Sequence, residues 1–211
     1  MFAGVYQSAV IAAAFVVFYA ADAWLMHRYD ADRPAGSGRS WGWVLFSTLA
    51  VLILILQPIL LPGLGFYTDS SWGVLLQGLG LVLLVGGLGV HGWARVHLGQ
   101  YYGERLEVQP GHGLVEDGPY AYVRHPVYTS FFLCTMGLLL VNPALTTLLL
   151  ALYFFWDFDR TARKEEALLS EALDGYREYA ARTPRYLPRC RQMLSGGRRS
   201  RASAGSDRAR A

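Results

Sequence analysis

Two stretches of this chain contain no charged residue, Trp41–Phe66 and Trp72–Trp93, and a third, Val5–Met26, contains only Asp22. Each can cross a hydrocarbon core about 30 Å thick, which takes roughly 20 helical residues. A spanning segment must satisfy its own backbone polar groups, because lipid offers them no partner; a single apolar run does so only as an α-helix. The pattern predicts an all-α integral membrane protein. Val5–Met26 reads as a retained helix rather than a signal peptide: it is too long, no basic region precedes it, and Asp22-Ala-Trp is no cleavage site. The two cysteines, Cys134 and Cys190, form no metal-ligand or disulfide spacing. Neither a metal nor a nucleic-acid partner is expected; the expected surroundings are the lipid bilayer.

Further along, Val127–Val141 and Ala144–Trp156 are shorter apolar runs separated by Asn142-Pro143. They read as a short helical hairpin, bringing the expected count to five transmembrane helices. Asp159–Arg182 reads as a separate cytoplasmic amphipathic helix, with Glu165, Leu169, Ala172, Tyr176 and Tyr179 along one face. With the amino terminus outside, Arg28–Arg39, Arg95–Arg124 and everything from Arg160 onward face the cytoplasm. All nineteen Lys and Arg residues then fall on that side, as the positive-inside rule asks. The carboxyl terminus is therefore expected in the cytoplasm. Residues 1–190 form one membrane domain, with a cytoplasmic site built from 91–128 and 156–188. Residues 191–211 form a basic tail without apolar periodicity, expected to be disordered. Arginine outnumbers lysine eighteen to one, consistent with a GC-rich bacterial source and so with a bacterial inner membrane.

The glycines of the third helix, Gly73, Gly78, Gly80, Gly86, Gly87, Gly89 and Gly92, suggest a close-packing face. His91, Arg95 and His97 at its polar end read as side chains snorkelling to the headgroup level. The densest polar and aromatic cluster follows, from His112 to Tyr128, holding two histidines, Arg124 and three tyrosines. Gly118-Pro119 makes a turn there, and Pro126 suits the first turn of a helix. The cluster is a shaped loop at the mouth of a membrane helix. Taken singly, Arg124 and His125 could equally anchor a helix end among headgroups, and Tyr176 and Tyr179 read as packing.

The ordered elements His112-x-Leu114-Val115, Gly118-x-Tyr120 and Arg124-His125-Pro126-x-Tyr128 resemble the signature of the isoprenylcysteine carboxyl methyltransferase family. The likeness extends over roughly residues 95 to 190. It implies a methyltransferase that uses S-adenosylmethionine, with His112, Leu114, Val115, Gly118, Tyr120, Arg124, His125 and Tyr128 in the cofactor pocket. Tyrosines suit a sulfonium and an adenine, an arginine suits a carboxylate, and a glutamate suits an ammonium group. Arg160 and Glu165, five residues apart, match the family's arginine and glutamate at the methyl acceptor and are the catalytic candidates. Sliding the match by one residue pairs Glu165 with Glu166, which places Glu166 in the cofactor site and leaves the acidic position open by one residue. The implied acceptor is a lipid-like or small apolar molecule, a carboxylate by preference. Phospholipid amine and small-thiol methylation are alternatives; an NADPH-dependent sterol-type reductase and a non-catalytic membrane scaffold stand further off.

Overall fold

The computed structural model describes residues 3–29, 41–66, 71–101 and 113–189. The expected basic tail and His112 lie outside the described residues. Six α-helices occur among them: α1 Val5–Tyr29, α2 Trp41–Leu60, α3 Ser71–Leu98, α4 Pro126–Val141, α5 Leu145–Ala172 and α6 Tyr176–Arg182. Two helices, α1 and α3, are long and apolar enough to cross a membrane, and Val44–Leu60 and Pro126–Val141 are shorter apolar helices. No strand occurs among the described residues, only an isolated bridge between Gly65 and Ala144.

Polar side chains tie the helices together at both ends. At one end the Gln7 and Gln77 amides donate to the Val141 carbonyl at 3.0 and 3.1 Å, and Asn142 donates to Gln57 at 2.7 Å and Thr147 at 3.1 Å. At the other, Arg95 Nε donates to Asp22 at 3.0 Å, while His91 lies 3.5 Å from Asp22 and 3.3 Å from Ser130. Residues 7, 57, 77 and 142 thus share one end, and 22, 91, 95 and 130 the other, so successive helices run in alternating directions. In an apolar environment such groups have few other partners, which fixes register. Between the knots α3 lies directly on α4. A Cβ on Gly137 would stand 2.8 Å from the Gly80 carbonyl oxygen and 2.8 Å from the Leu84 amide nitrogen, while Gly80 and Gly87 are equally crowded. Of the glycines expected to form a packing face, Gly80 and Gly87 lie in this contact, whereas Gly78, Gly86, Gly89 and Gly92 have nothing within 4 Å of a Cβ placed there.

Two expectations need correction. Asp159–Arg182 is not a separate helix. α5 runs unbroken from Leu145 through Ala172, because no glycine or proline interrupts Trp156–Asp159; hydropathy marked a change of surroundings, not a helix end. The break comes later, where Gly175 adopts φ +81° and α6 begins. His91 and Arg95 do not snorkel: Arg95 is 1% exposed, and Asp22 on α1 supplies its counter-charge.

Candidate active site

The signature loop is shaped before any charged group enters it. Gly118 takes φ +55°, and the His97 ring occupies the space that a Cβ there would need. A 3₁₀ turn over Gly118–Ala121 follows and buries Pro119 and Tyr120. Pro126 then opens α4, so Arg124 and His125 stand on the last non-helical residues. Their backbone amides do not look for partners in the helix. They donate to the carbonyls of Pro184 at 2.9 Å and Arg185 at 3.1 Å. Thr129 Oγ1 adds a bond to the Tyr186 carbonyl at 2.9 Å. The segment after α6 is therefore laid along the loop as its outer wall. α6 itself is held by Tyr179, whose hydroxyl donates to the Tyr120 carbonyl at 2.7 Å, and by Arg124 NH1, which donates to the Ala180 carbonyl at 2.7 Å.

Glu166 on α5 is the hub. His125 Nε2 donates to its Oε1 at 3.0 Å, Arg124 NH2 lies 2.9 Å from the same oxygen, and Arg185 grips both oxygens through Nε and NH2. Burial pushes this carboxyl up, but the hydrogen bonds from His125 and Arg185 and the charge of Arg124 outweigh it and hold the pKa at about 2. Consecutive helical residues point about 100° apart, so Glu165 leaves the helix in another direction. It lies 3.7 Å from His125 Nδ1 and hydrogen-bonds Tyr128. Burial raises its pKa, and the nearby Glu166 charge adds to this; His125 and Tyr128 offset only part. The two acids thus straddle one imidazole and carry opposite shifts.

Of the residues singled out in the sequence, Arg124, His125, Tyr128, Glu165 and Glu166 come together, Tyr120 is tied to α6 through Tyr179, and Gly118 lies against His97. Leu114 abuts Gly175, and Val115 is half-buried nearby in the chain. Arg160 stands apart. It is exposed, with its guanidinium 5.4 Å from the centre of the Trp156 ring. Sequence reasoning missed Arg185, which binds Glu166 and approaches Asp159, and Tyr186, whose hydroxyl donates to Asp159 at 3.0 Å. The only signal was the pair of prolines, Pro184 and Pro188, that stiffen the segment around them.

Two features make this a candidate binding site for a polar ligand beside the membrane. Arg124 Nε and the Tyr176 hydroxyl are buried without a hydrogen-bond partner among the described residues. A buried donor left unmade is costly, so both suit the oxygens of a bound molecule. In the other direction an aromatic ladder leaves the cluster: His125 to Tyr128 at 5.5 Å, Tyr128 to Phe158 at 5.8 Å, and Phe158 to Phe131 at 5.0 Å and to Phe154 at 5.6 Å. The ladder leads to an apolar cavity of about 160 Å³, open on one side and lined by residues of α1 to α5.

The isoprenylcysteine carboxyl methyltransferase (ICMT) family profile matches residues 79–171. The chain is 30% identical over 189 residues to the protein-S-isoprenylcysteine O-methyltransferase of Schizosaccharomyces pombe, covering 78% of each protein. It is 39% identical over 77 residues to the cobalt-zinc-cadmium resistance protein CzcN of Cupriavidus metallidurans, 36% of each. Among solved structures, the eukaryotic intramembrane Ras methyltransferase ICMT superposes with a TM-score of 0.53 at 23% identity. That match covers 72% of this chain and 53% of the solved one, so the chain spans about half its length; the likeness concerns the fold.

Proposed function

The chain belongs to the isoprenylcysteine carboxyl methyltransferase family and is a methyltransferase; on that premise we propose that it methylates a carboxylate on an apolar acceptor, using S-adenosylmethionine. The observation that carries this reading is the continuity of the site, from a cation-rich cluster with unmet buried donors, through one aromatic ladder, into an apolar cavity. Arg124 Nε and Tyr176 suit the carboxylate and hydroxyl oxygens of the cofactor, Glu165 the acceptor, and Tyr128 the sulfonium. When bound, S-adenosylmethionine supplies an electrophilic methyl group. The chain's own residues then contribute position and charge. Glu166 holds Arg124 and His125 in place, and the ladder excludes water from the approach. A carboxylate acceptor needs no base, since its oxygen is already a nucleophile. Burial raises the pKa of Glu165, which favours its neutral form beside an incoming carboxylate. The acceptor in the name of the Schizosaccharomyces pombe relative, a protein S-isoprenylcysteine, is O-methylated.

We assign Glu165 and Arg160 to the acceptor rather than to the cofactor. Glu165 lies where the ladder meets the cluster; Arg160 sits at the same end of α5, on the outward face. Glu165→Gln and Arg160→Met are then expected to lower kcat by about a hundredfold, with little change in S-adenosylhomocysteine affinity. Groups engaged in the transition state show in kcat, whereas uniform contacts show in KM. An Arg160→Met enzyme with full kcat would leave that arginine as a Trp156 partner only. A Glu166→Gln variant that alone loses turnover would move the acceptor acid one residue on.

Five crossings, an outer amino terminus and a cytoplasmic carboxyl terminus in a bacterial inner membrane complete the proposal. The alternating helix directions and the nineteen basic residues on one side support it. Reporter fusions at both termini are expected to report opposite sides. Fusions reporting the same side would require an even number of crossings.

A further inference from the structure

Asp22 is the lone charge of the first apolar stretch, and it lies in α1, ahead of the residues that the family profile matches. A carboxylate inside a spanning segment is expensive unless it is partnered, so its partners mark a working part of the molecule. They stand on α3: Arg95 Nε donates to Oδ1 at 3.0 Å, and His91 Nε2 lies 3.5 Å from the same oxygen. The other ring nitrogen of His91 lies 3.3 Å from Ser130 Oγ on α4. The single hydroxyl proton of Ser130 goes to the Val127 carbonyl at 2.6 Å, so His91 Nδ1 donates and the serine accepts. Gly87, one turn before His91, permits this reach: a Cβ there would stand 3.0 Å from the Ser130 carbonyl oxygen. The buried imidazole thus bridges α1 and α4, and turning it would break both contacts.

The bridge ends in the turns that carry Tyr128. Val127, Ser130 and Phe131 belong to the start of α4, which opens at Pro126 beside His125. Phe131 packs on the His91 ring at 5.3 Å and on Phe18 of α1 at 6.0 Å. It also meets Tyr128 at 6.5 Å and Phe158 at 5.0 Å, and Phe158 lies 5.8 Å from Tyr128. The rings beside Tyr128 therefore take their position in part from α1 and α3. Resting on the methyltransferase reading above, we propose that Asp22, His91 and Ser130 are positioning residues for methyl transfer, holding the start of α4 so that Tyr128 presents its ring face to the sulfonium of S-adenosylmethionine. In this role none of the three touches the reacting atoms. Asp22 orients His91, His91 fixes Ser130 and Phe131, and these fix Tyr128. Cation–π attraction needs the cation over the ring face within about 6 Å, so a small rotation of α4 weakens it.

The test compares two ligands on the full chain in detergent. Sinefungin carries an amine cation where S-adenosylmethionine carries its sulfonium, whereas S-adenosylhomocysteine is uncharged at that place. His91→Phe keeps a ring between Phe18 and Phe131 but loses both polar links, and Ser130→Ala cuts only the link to α4. The Asp22–Arg95 ion pair survives in both variants. Each is expected to weaken sinefungin binding about fivefold to tenfold, with S-adenosylhomocysteine affinity unchanged. Turnover should fall about tenfold, within the range that a misplacement far from the chemistry produces. In a Tyr128→Leu background the same substitutions should cost sinefungin nothing further, because the ring through which they act is gone. Ser130→Ala removes one atom and decides the matter alone should His91→Phe not fold. Equal weakening of both ligands would reduce the three residues to helix packing and overturn the proposal. So would unchanged sinefungin affinity, or a loss that persists undiminished beside Tyr128→Leu. Failure of the methyltransferase reading itself looks different: the wild-type chain binds neither ligand and methylates nothing.

Discussion

Replacing Glu166 with Ala is expected to abolish S-adenosylhomocysteine binding and to lower the thermal midpoint in detergent by about 10 °C. The carboxylate is 15% exposed and is shared by Arg124, His125 and Arg185. Its removal leaves buried cations without their counter-charge, a change that costs about 3–5 kcal/mol and translates to several degrees for a chain of this size. The loss reaches the cofactor because the same carboxylate ties the 183–186 segment to the signature loop through Arg185. Acid should act in the same direction. Glu166 is held at about 2, below the ordinary 4.5, so its folded-state pKa lies under its unfolded one. Its stabilising contribution is present above 4.5 and is lost as the pH falls toward about 2. The thermal midpoint should therefore drop across that window, and Glu166→Gln should flatten the drop. A Glu166→Ala protein with wild-type affinity and an unchanged acid profile would show that the cluster is not organised by this residue.

Gly137→Leu should give no folded protein. A side chain at that position meets the Gly80 carbonyl and the Leu84 amide, which are backbone atoms of α3 and cannot rotate away. α3 and α4 would have to separate, losing their close backbone contact, and overpacking of this kind costs about 1–3 kcal/mol or more. The consequence extends beyond stability. α4 begins at Pro126, so any displacement of the helix moves His125 and Tyr128 with it. Gly86→Leu is the control, since nothing lies within 4 Å of a Cβ placed there. Size-exclusion profiles in detergent should show aggregation for Gly137→Leu and a monodisperse peak for Gly86→Leu. A monodisperse Gly137→Leu protein that binds S-adenosylhomocysteine normally would mean that α3 and α4 do not pack as described.

What could be read in the sequence depended on how local its cause was. Uncharged windows report lipid surroundings directly, so the apolar helices and the small-residue face of α3 were legible. The Arg124–Pro126 element was legible because proline dictates the start of α4 whatever packs around it. Arg95 was not, since its depth is decided by Asp22 on another helix, and no periodicity links the two. The same holds for Arg185 and Tyr186. They enter the site through backbone bonds to residues 124 and 125 and through Glu166, contacts made only once α5 and α6 have folded back. Glu165 and Glu166, between which the match leaves one residue open, face different neighbours: one faces Tyr128 and the other the arginines. Sequence spacing sets Arg160 about 140° round the helix from Glu165, and its side chain lies over Trp156.

The central claim is that the chain moves a methyl group from S-adenosylmethionine to an apolar carboxylate. Its most direct test incubates the purified chain with methyl-labelled S-adenosylmethionine and S-prenylcysteines of five, ten and fifteen carbons, then treats the product with base. A carboxyl methyl ester releases its label as methanol under base, whereas N-methyl and S-methyl groups keep theirs. The account predicts labelled methanol from the wild-type reaction and a large reduction with Glu165→Gln. Label that stays with the product after base, or no transfer by a protein that binds S-adenosylhomocysteine, would contradict it.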